Sequence, residues 1–218
     1  MATRPRTRKP LTKELVLARA IALADADGID ALTMRKLGQS LGVEAMSLYN
    51  HVANKGELVT AMVDSVVEQF ELPDDGAWDD AIRRCAISVH DALTRHPWAC
   101  PLLMSPGYIR PARLEYMDAL LGRLREAGFS ADATYHAYHV LDAHIFGFSL
   151  WQANHSYNAV SLKDMAAELD RMVPVEEYPH LHEHGEQHLT DGPLHEVSAF
   201  QLGLDLILGG LEQTRGTG

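Results

Sequence analysis

The sequence predicts an all-α fold, and three observations carry that reading. Apolar residues recur at helical spacing almost throughout, short strand-like alternations are lacking, and proline and glycine punctuate the gaps between periodic stretches. Helices are expected over about residues 12–26, 33–40, 44–50, 55–71, 77–95, 111–127, 131–156, 162–172 and 194–213. The run Pro73-Asp74-Asp75-Gly76 breaks the chain after the fourth of these. His96-Pro97 through Pro106-Gly107 makes an irregular bend with room for at most one short helix. The organisation this suggests is a basic arm at 1–10, a three-helix head at 11–58, and a helical body at 59–218.

The head is the most informative part. Thr33 stands where an N-cap belongs, so its hydroxyl can accept from the free amides of the second helix, whose Leu37 and Leu41 are spaced to face a core. Gly42 is the stop, a residue suited to the left-handed conformation in which helices often end. Val43 packs under the turn. The third helix is only about two turns long. Leu48 and Val52 anchor it, leaving Ala45, Met46, Ser47 and Tyr49 on outward or flanking positions. Asn54 with Glu57 has the form of a capping box and opens a fourth helix at Lys55. A lysine at the positive end of a helix is electrostatically misplaced unless an anion comes to it, and a DNA phosphate is such an anion. Two short helices joined by a tight turn form a helix-turn-helix, which sets its second helix in the major groove. An ordinary α-hairpin is the competing reading of the spacing alone.

Composition bounds the rest. The 218 residues are 46% hydrophobic, enough for one large helical protomer or two small domains. Arg4, Arg6, Arg8 and Lys9 are not followed by an apolar run, and no segment has the length of a membrane span, so a cytoplasmic protein is expected. Cys85 and Cys100 have neither metal-binding nor disulfide-framework spacing and read as reduced core thiols. The net charge of -11 argues against nucleic acid until its distribution is considered. Residues 1–60 carry nine Lys and Arg against six Asp and Glu, so the cationic end is the end with the helix-turn-helix. The arm, with Pro5 and Pro10 preventing helix, reads equally as a minor-groove strand or a solvated tail.

Two later segments look built for self-association. In LHEVSAFQLGLDLILGGLE, Val197, Phe200, Leu204, Leu208 and Leu211 form one stripe, which Leu202, Leu206 and Ile207 broaden beyond a single core face. Gly203, Gly209 and Gly210 weaken the helix but permit a close crossing. Its partner would be TYHAYHVLDAHIFGFSLWQ, with Tyr138, Leu141, Ile145, Phe148 and Trp151 on one side. The dimer face expected on these grounds is Tyr138, Leu141, Ile145, Phe148, Phe200, Gly203, Leu204, Ile207, Leu208 and Leu211, with an internal core as the alternative.

Residues 11–70 resemble the DNA-binding region of the tetracycline-repressor (TetR) family. The run LVLARAIALADADGIDALTMRKLGQSLGVEAMSLYNHVANKGEL matches nearly without interruption, and its LYxHVxNKxxL portion is the specific part. The resemblance implies a transcriptional regulator, most simply a repressor, that binds a palindromic double-stranded DNA operator as a homodimer and is released by a small-molecule effector. It also implies a C-terminal domain that binds the effector and dimerises. Arg35 would read bases, since a guanidinium can bridge two guanine acceptors, and Ala45 and Met46 would meet thymine methyls. Thr33, Ser47, Tyr49, His51 and Lys55 resemble phosphate contacts, with half-buried packing as the competing role for Tyr49 and His51. The chain departs from the tetracycline repressor itself, which has Gln at the position of Ala45 and Trp at that of Asn50, so the operator should differ. Met104 and Glu71 stand where that protein offers histidines to the metal and the drug, which argues against tetracycline as inducer. An effector pocket is implied in the body, with Trp98, Met104, Tyr108, His139, Phe146 and Trp151 as its expected lining. No enzyme activity, cofactor or bound metal is implied.

Twelve histidines raise a different class of function. Four of them, His180, His182, His184 and His188, fall in PHLHEHGEQHL, where His184 and His188 have a workable metal-ligand spacing. A His-dependent metal-binding protein or metalloenzyme is therefore the runner-up. Gly185 weakens the helix that would align the pair, and a polar loop before the last helix is the plainer reading.

Overall fold

The computed structural model describes residues 10–73, 75–105, 107–154, 171–189 and 198–215, the side chains of 187–189 excepted. All regular structure among these residues is helical. The expected helix over 162–172 falls almost wholly outside them, as do Val197 and residues 1–9 of the arm.

Capping chemistry sets the head. α1 (Lys13–Asp27) starts where the Thr12 hydroxyl accepts from the Leu15 amide at 3.2 Å, and α2 (Met34–Leu41) where Thr33 accepts from the Lys36 amide at 3.1 Å. Gly42 ends α2 at φ 67° and ψ 34°, the left-handed cap that its position predicts. α3 (Ala45–Leu48) is shorter than the two turns expected. After Leu48 the chain tightens: the His51 and Val52 amides both donate to the Leu48 carbonyl, at 2.9 and 3.1 Å, so the turn is kept while the regular helix ends. α4 (Lys55–Val67) begins at Asn54, whose Oδ1 accepts from the Glu57 amide at 2.9 Å. Glu57 reaches back at 2.6 Å to the amide of Ala53, one residue earlier than the usual capping box requires.

Val16, Ala20, Leu37, Leu48 and Leu58 close the core of the head, each fully buried. A buried leucine contributes roughly 1.5–3 kcal/mol. The α2–α3 angle depends on Gly38. A β-carbon there would lie 2.8 Å from the Val43 carbonyl oxygen and 3.2 Å from the Ala45 nitrogen, so the two helices approach by backbone contact.

The body consists of α5 (Trp78–Arg95), α6 (Ala99–Leu103), α7 (Pro111–Glu126), α8 (Ala131–Asn154), α9 (Pro179–Leu189) and α10 (Ala199–Thr214). α8 is the central member, packed by α5, α7 and α10. α4 crosses the expected 58/59 boundary unbroken, packing on α1 and also on α5, α6 and α7, so head and body share it. One aromatic stack ties three helices together. The Phe200 ring of α10 lies between His90 of α5 at 4.0 Å and His144 of α8 at 5.0 Å, and His144 Nε2 also bonds the Phe200 carbonyl at 2.9 Å. Gly203 makes this crossing possible, since a β-carbon there would meet the His144 ring at 2.5 Å.

The structure corrects two expectations. Tyr138, Leu141, Ile145, Phe200, Leu204 and Leu208 are buried within one protomer, packed between α8, α10 and α5, so they are not a free dimer face. Phe148, Ile207 and Leu211 are half-buried against the same core, and Gly203 faces His144 of its own chain. The periodicity located an apolar face correctly but not its occupant, because α8 and α10 satisfy each other first. The face left exposed is Val140, Ala143, Gly147 and Trp151 on α8 with Leu202, Leu206, Gly209 and Gly210 on α10. The second correction concerns 179–189, a helix rather than a polar loop. Pro179 suits a first helical position, the His182 amide bonds the Tyr178 carbonyl at 3.0 Å, and His182 faces Glu186 one turn on at 3.8 Å. The helix tolerates Gly185 because a single interior glycine costs only about 1 kcal/mol.

Candidate nucleic-acid interface and its joints to the body

The eight residues expected at DNA all lie at the starts of α2, α3 and α4 or in the turn after α3. Arg35 is exposed in the first turn of α2, and Lys55 is exposed as the first residue of α4. Met46 is 74% exposed and Tyr49 42%, so both side chains stand clear of the head's core. Ala45, Ser47 and His51 are half-buried, and Thr33 uses its hydroxyl as the α2 cap. α2, α3 and the turn therefore present one guanidinium, one thioether and one phenol beside the exposed Gln39, Glu44 and Asn50, with backbone amides and Lys55 behind them. Guanidinium, thioether and phenol groups can meet base edges, and a lysine with free amides can seat a phosphate. Sequence reasoning missed Gly38, whose signal was a glycine inside an amphipathic helix. It also missed Lys36, whose Nζ is held 2.7 Å from Asp27 of α1. Both of those groups are largely exposed, so the pair is worth at most about 1 kcal/mol.

Two carboxylates join the head to the segment between α5 and α7. Asp25 of α1 accepts from Trp98 Nε1 at 2.7 Å and lies 2.8 Å from His96 Nδ1. Asp64 of α4 accepts from the Tyr108 hydroxyl at 2.6 Å and from Arg110 at 2.9 and 3.2 Å. Burial and the Asp64 carboxylate both raise the Tyr108 pKa, so the phenol stays a donor at any working pH. Each joint thus pairs an aromatic donor with a basic side chain, and both donor sets come from the bend around α6.

The family is decided by comparison. Residues 72–215 match the model described as the tetracyclin repressor-like C-terminal domain, and residues 16–62 match that of the bacterial regulatory proteins of the tetR family. The chain belongs to the tetracycline-repressor family. It is a transcriptional regulator with a DNA-binding helix-turn-helix and a tetracycline-repressor-like C-terminal domain. It is 30% identical over 213 residues to the HTH-type transcriptional repressor DrrR1 of Streptomyces coeruleorubidus, covering 93% of this chain and 77% of that one. It is 31% identical over 170 residues to the class D tetracycline repressor protein of Escherichia coli, covering 75% of each. Among solved structures, the TetR family protein ActR of Streptomyces coelicolor in complex with actinorhodin aligns at a TM-score of 0.68 and 26% identity, over 95% of this chain and all of that one.

Among the described residues, the six expected to line a pocket lie in different surroundings. Trp98 is buried at the head joint, Tyr108 is half-buried at the Asp64 joint, Phe146 is buried under Arg113, and Met104, His139 and Trp151 are exposed. Spacing could not separate these fates, because bulk with a polar tip suits a joint as well as a pocket. Cavities of about 510 Å³ beside Trp78, Arg123 and Arg215, and of about 140 Å³ beside Leu93, Ser149 and Gln152, contain none of the six. The histidine helix gathers no metal set either. Among the described residues no three His, Cys, Asp or Glu side chains come together as metal ligands, and the His188 side chain lies outside them.

Proposed function

We propose that this regulator is a homodimeric repressor that holds a palindromic operator and releases it when a small-molecule effector binds the body. The observation that carries the reading is the exposed set Arg35, Met46 and Tyr49 on a helix-turn-helix whose angle is fixed by backbone contact at Gly38. A short α3 covers few base pairs, so affinity needs two copies about one DNA turn apart. The exposed apolar face of α8 and α10 is where the second copy sits, with Gly147, Gly209 and Gly210 letting helices approach closely. The repressor name of DrrR1 and the small molecule held by ActR support repression and an effector. The protein works in the cytoplasm, without catalysis of its own. No described helix is long and apolar enough to cross a membrane.

Release follows from α4, which begins at the phosphate seat with Lys55 and is tied through Asp64 to the segment before α7. An effector that favours a different position of that segment moves α4 and spoils the spacing of the two heads. A thousandfold release requires about 4 kcal/mol of differential affinity between the two states. Selection of bound sites from a random duplex pool tests the whole reading. Recovery of a palindrome with half-site centres about 34 Å apart is expected. Failure to retain any duplex at low ionic strength, or a monomer in sedimentation, would defeat it.

A further inference from the structure

Between α7 and α8 the body contains polar atoms that the fold leaves unanswered. Tyr116 is 1% exposed and its hydroxyl has no hydrogen-bond partner, although the weakly accepting Cys85 thiol is near. Arg113 pairs one guanidinium nitrogen with Asp142 at 3.1 Å, while its Nη1 is buried and unpaired. Thr134, 4% exposed on the face of α8 that also carries Tyr138, leaves its hydroxyl unpaired as well. Buried polar groups without partners are rare, because each gives up its bond to water and gains nothing in return. Two of them close together, Arg113 Nη1 and the Tyr116 hydroxyl, with the guanidinium 5.2 Å from the Tyr116 ring, point to a molecule that supplies what the chain does not.

We infer that this layer is the polar anchor of the effector site, and that it takes an uncharged aromatic compound carrying a carbonyl oxygen. The inference rests on the reading of the protein as an effector-released regulator. Arg113 Nη1 and the Tyr116 hydroxyl are donors, and a carbonyl oxygen has two lone pairs to accept from both. The ligand is aromatic because rings surround the donors. Arg113 lies over Phe146 at 4.5 Å and over Tyr116 at 5.2 Å, and Phe70 meets Tyr116 edge-on at 5.5 Å. It is uncharged because Asp142 already balances Arg113, so a carboxylate would bring a second, uncompensated negative charge into a low-dielectric layer. Burial also keeps the Tyr116 hydroxyl protonated. The site is placed to act on α4: Arg110, which holds Asp64, is the N-cap of α7, three residues before Arg113. A ligand that draws on Arg113 therefore pulls on the turn that ties α4.

The test compares 9-fluorenone with fluorene, which lacks the carbonyl, and with fluorene-9-carboxylate, by equilibrium dialysis and thermal shift on the whole protein. Fluorenone should bind about tenfold or more tighter than either analogue, the expected worth of a hydrogen bond to a charged donor. Tyr116→Phe, and Arg113→Met combined with Asp142→Asn to avoid stranding a carboxylate, should each bring fluorenone down to the level of fluorene. Tyr116→Phe should leave the unliganded melting midpoint unchanged or raise it, since it removes an unpaired group. Equal binding of fluorenone and fluorene, preference for the carboxylate, undiminished binding in both variants, or no binding of fluorenone overturns the assignment. The unliganded proteins are assayed in parallel on the duplex recovered by selection. Operator binding without fluorenone binding removes the anchor alone, whereas absence of duplex binding removes the regulator reading.

Discussion

The head and the body of this molecule use the same helices in opposite ways. In the head, the groups proposed to meet DNA are left outside: Arg35, Met46 and Tyr49 are exposed on a core fixed by Thr33, Gly38 and Gly42, all within a few residues of them. In the body, the groups of interest are inside, and each owes its position to a helix far away in sequence, as Arg113 does to Asp142 and Phe200 to His144. The difference teaches that a DNA-reading surface can be specified locally, whereas a buried polar layer is a property of the assembled bundle.

The largest expected effect tests the body. Leu204 is fully buried and Leu206, two residues on, is 69% exposed. Leu204→Ala should destabilise the protomer by about 2–5 kcal/mol in chemical denaturation, whereas Leu206→Ala should cost under about 0.5 kcal/mol. Leu206→Asp should keep the helical spectrum yet sediment as a monomer; a stable dimer in that variant would place the second copy elsewhere.

In the head, Gly38→Val forces a side chain against the Val43 carbonyl and should cost about 1–3 kcal/mol while abolishing operator retention in a gel-shift assay. Full affinity in that variant would mean that the α2–α3 angle is not what DNA recognises. The joint between the two regions comes next. Asp64→Ala leaves Tyr108 and Arg110 without their acceptor and should lower stability by about 1–3 kcal/mol. It should also uncouple effector from operator, read as equal operator affinity with and without ligand.

Smaller again are the contacts themselves. Arg35→Ala should relax preference at one base pair by about 1–3 kcal/mol, and Lys55→Ala should weaken all duplexes alike and reduce the salt slope by about 1. The least effect is on the thiols. Burial raises Cys85 from 9.0 to about 12 and Cys100 to about 11, so the folded state holds these protons more tightly than the unfolded chain does. Their contribution is complete below pH 9 and is lost as pH rises through 11 to 12. Ellman titration of native protein at pH 8 should find neither thiol, and urea should reveal both.

Much of the head was legible because capping and turn chemistry are short-range. Thr33, Gly42 and Asn54 do in the structure what their positions predict. The length of α3 was misread because a helical turn and a succession of tighter turns bury the same residues, Leu48 and Val52. In the body, the 3.6-residue period found α8 and α10 but could not say which apolar face each helix keeps for its own protomer. Phe200 and Leu204 went inward and Leu202 and Leu206 stayed out, a choice made by the helix next door. Nothing in the spacing marked Arg113 or Tyr116, because unpaired donors become visible only when every neighbour is known.

The stack of His90, Phe200 and His144 bears on where this molecule can bend. With the last helix wedged between two imidazoles and bonded through its own backbone, the face that the proposed dimer would use is fastened to its own protomer. In the proposed dimer, any widening or narrowing of the gap between the paired heads would then originate upstream, where Asp25 and Asp64 are gripped, each joint a single carboxylate wide.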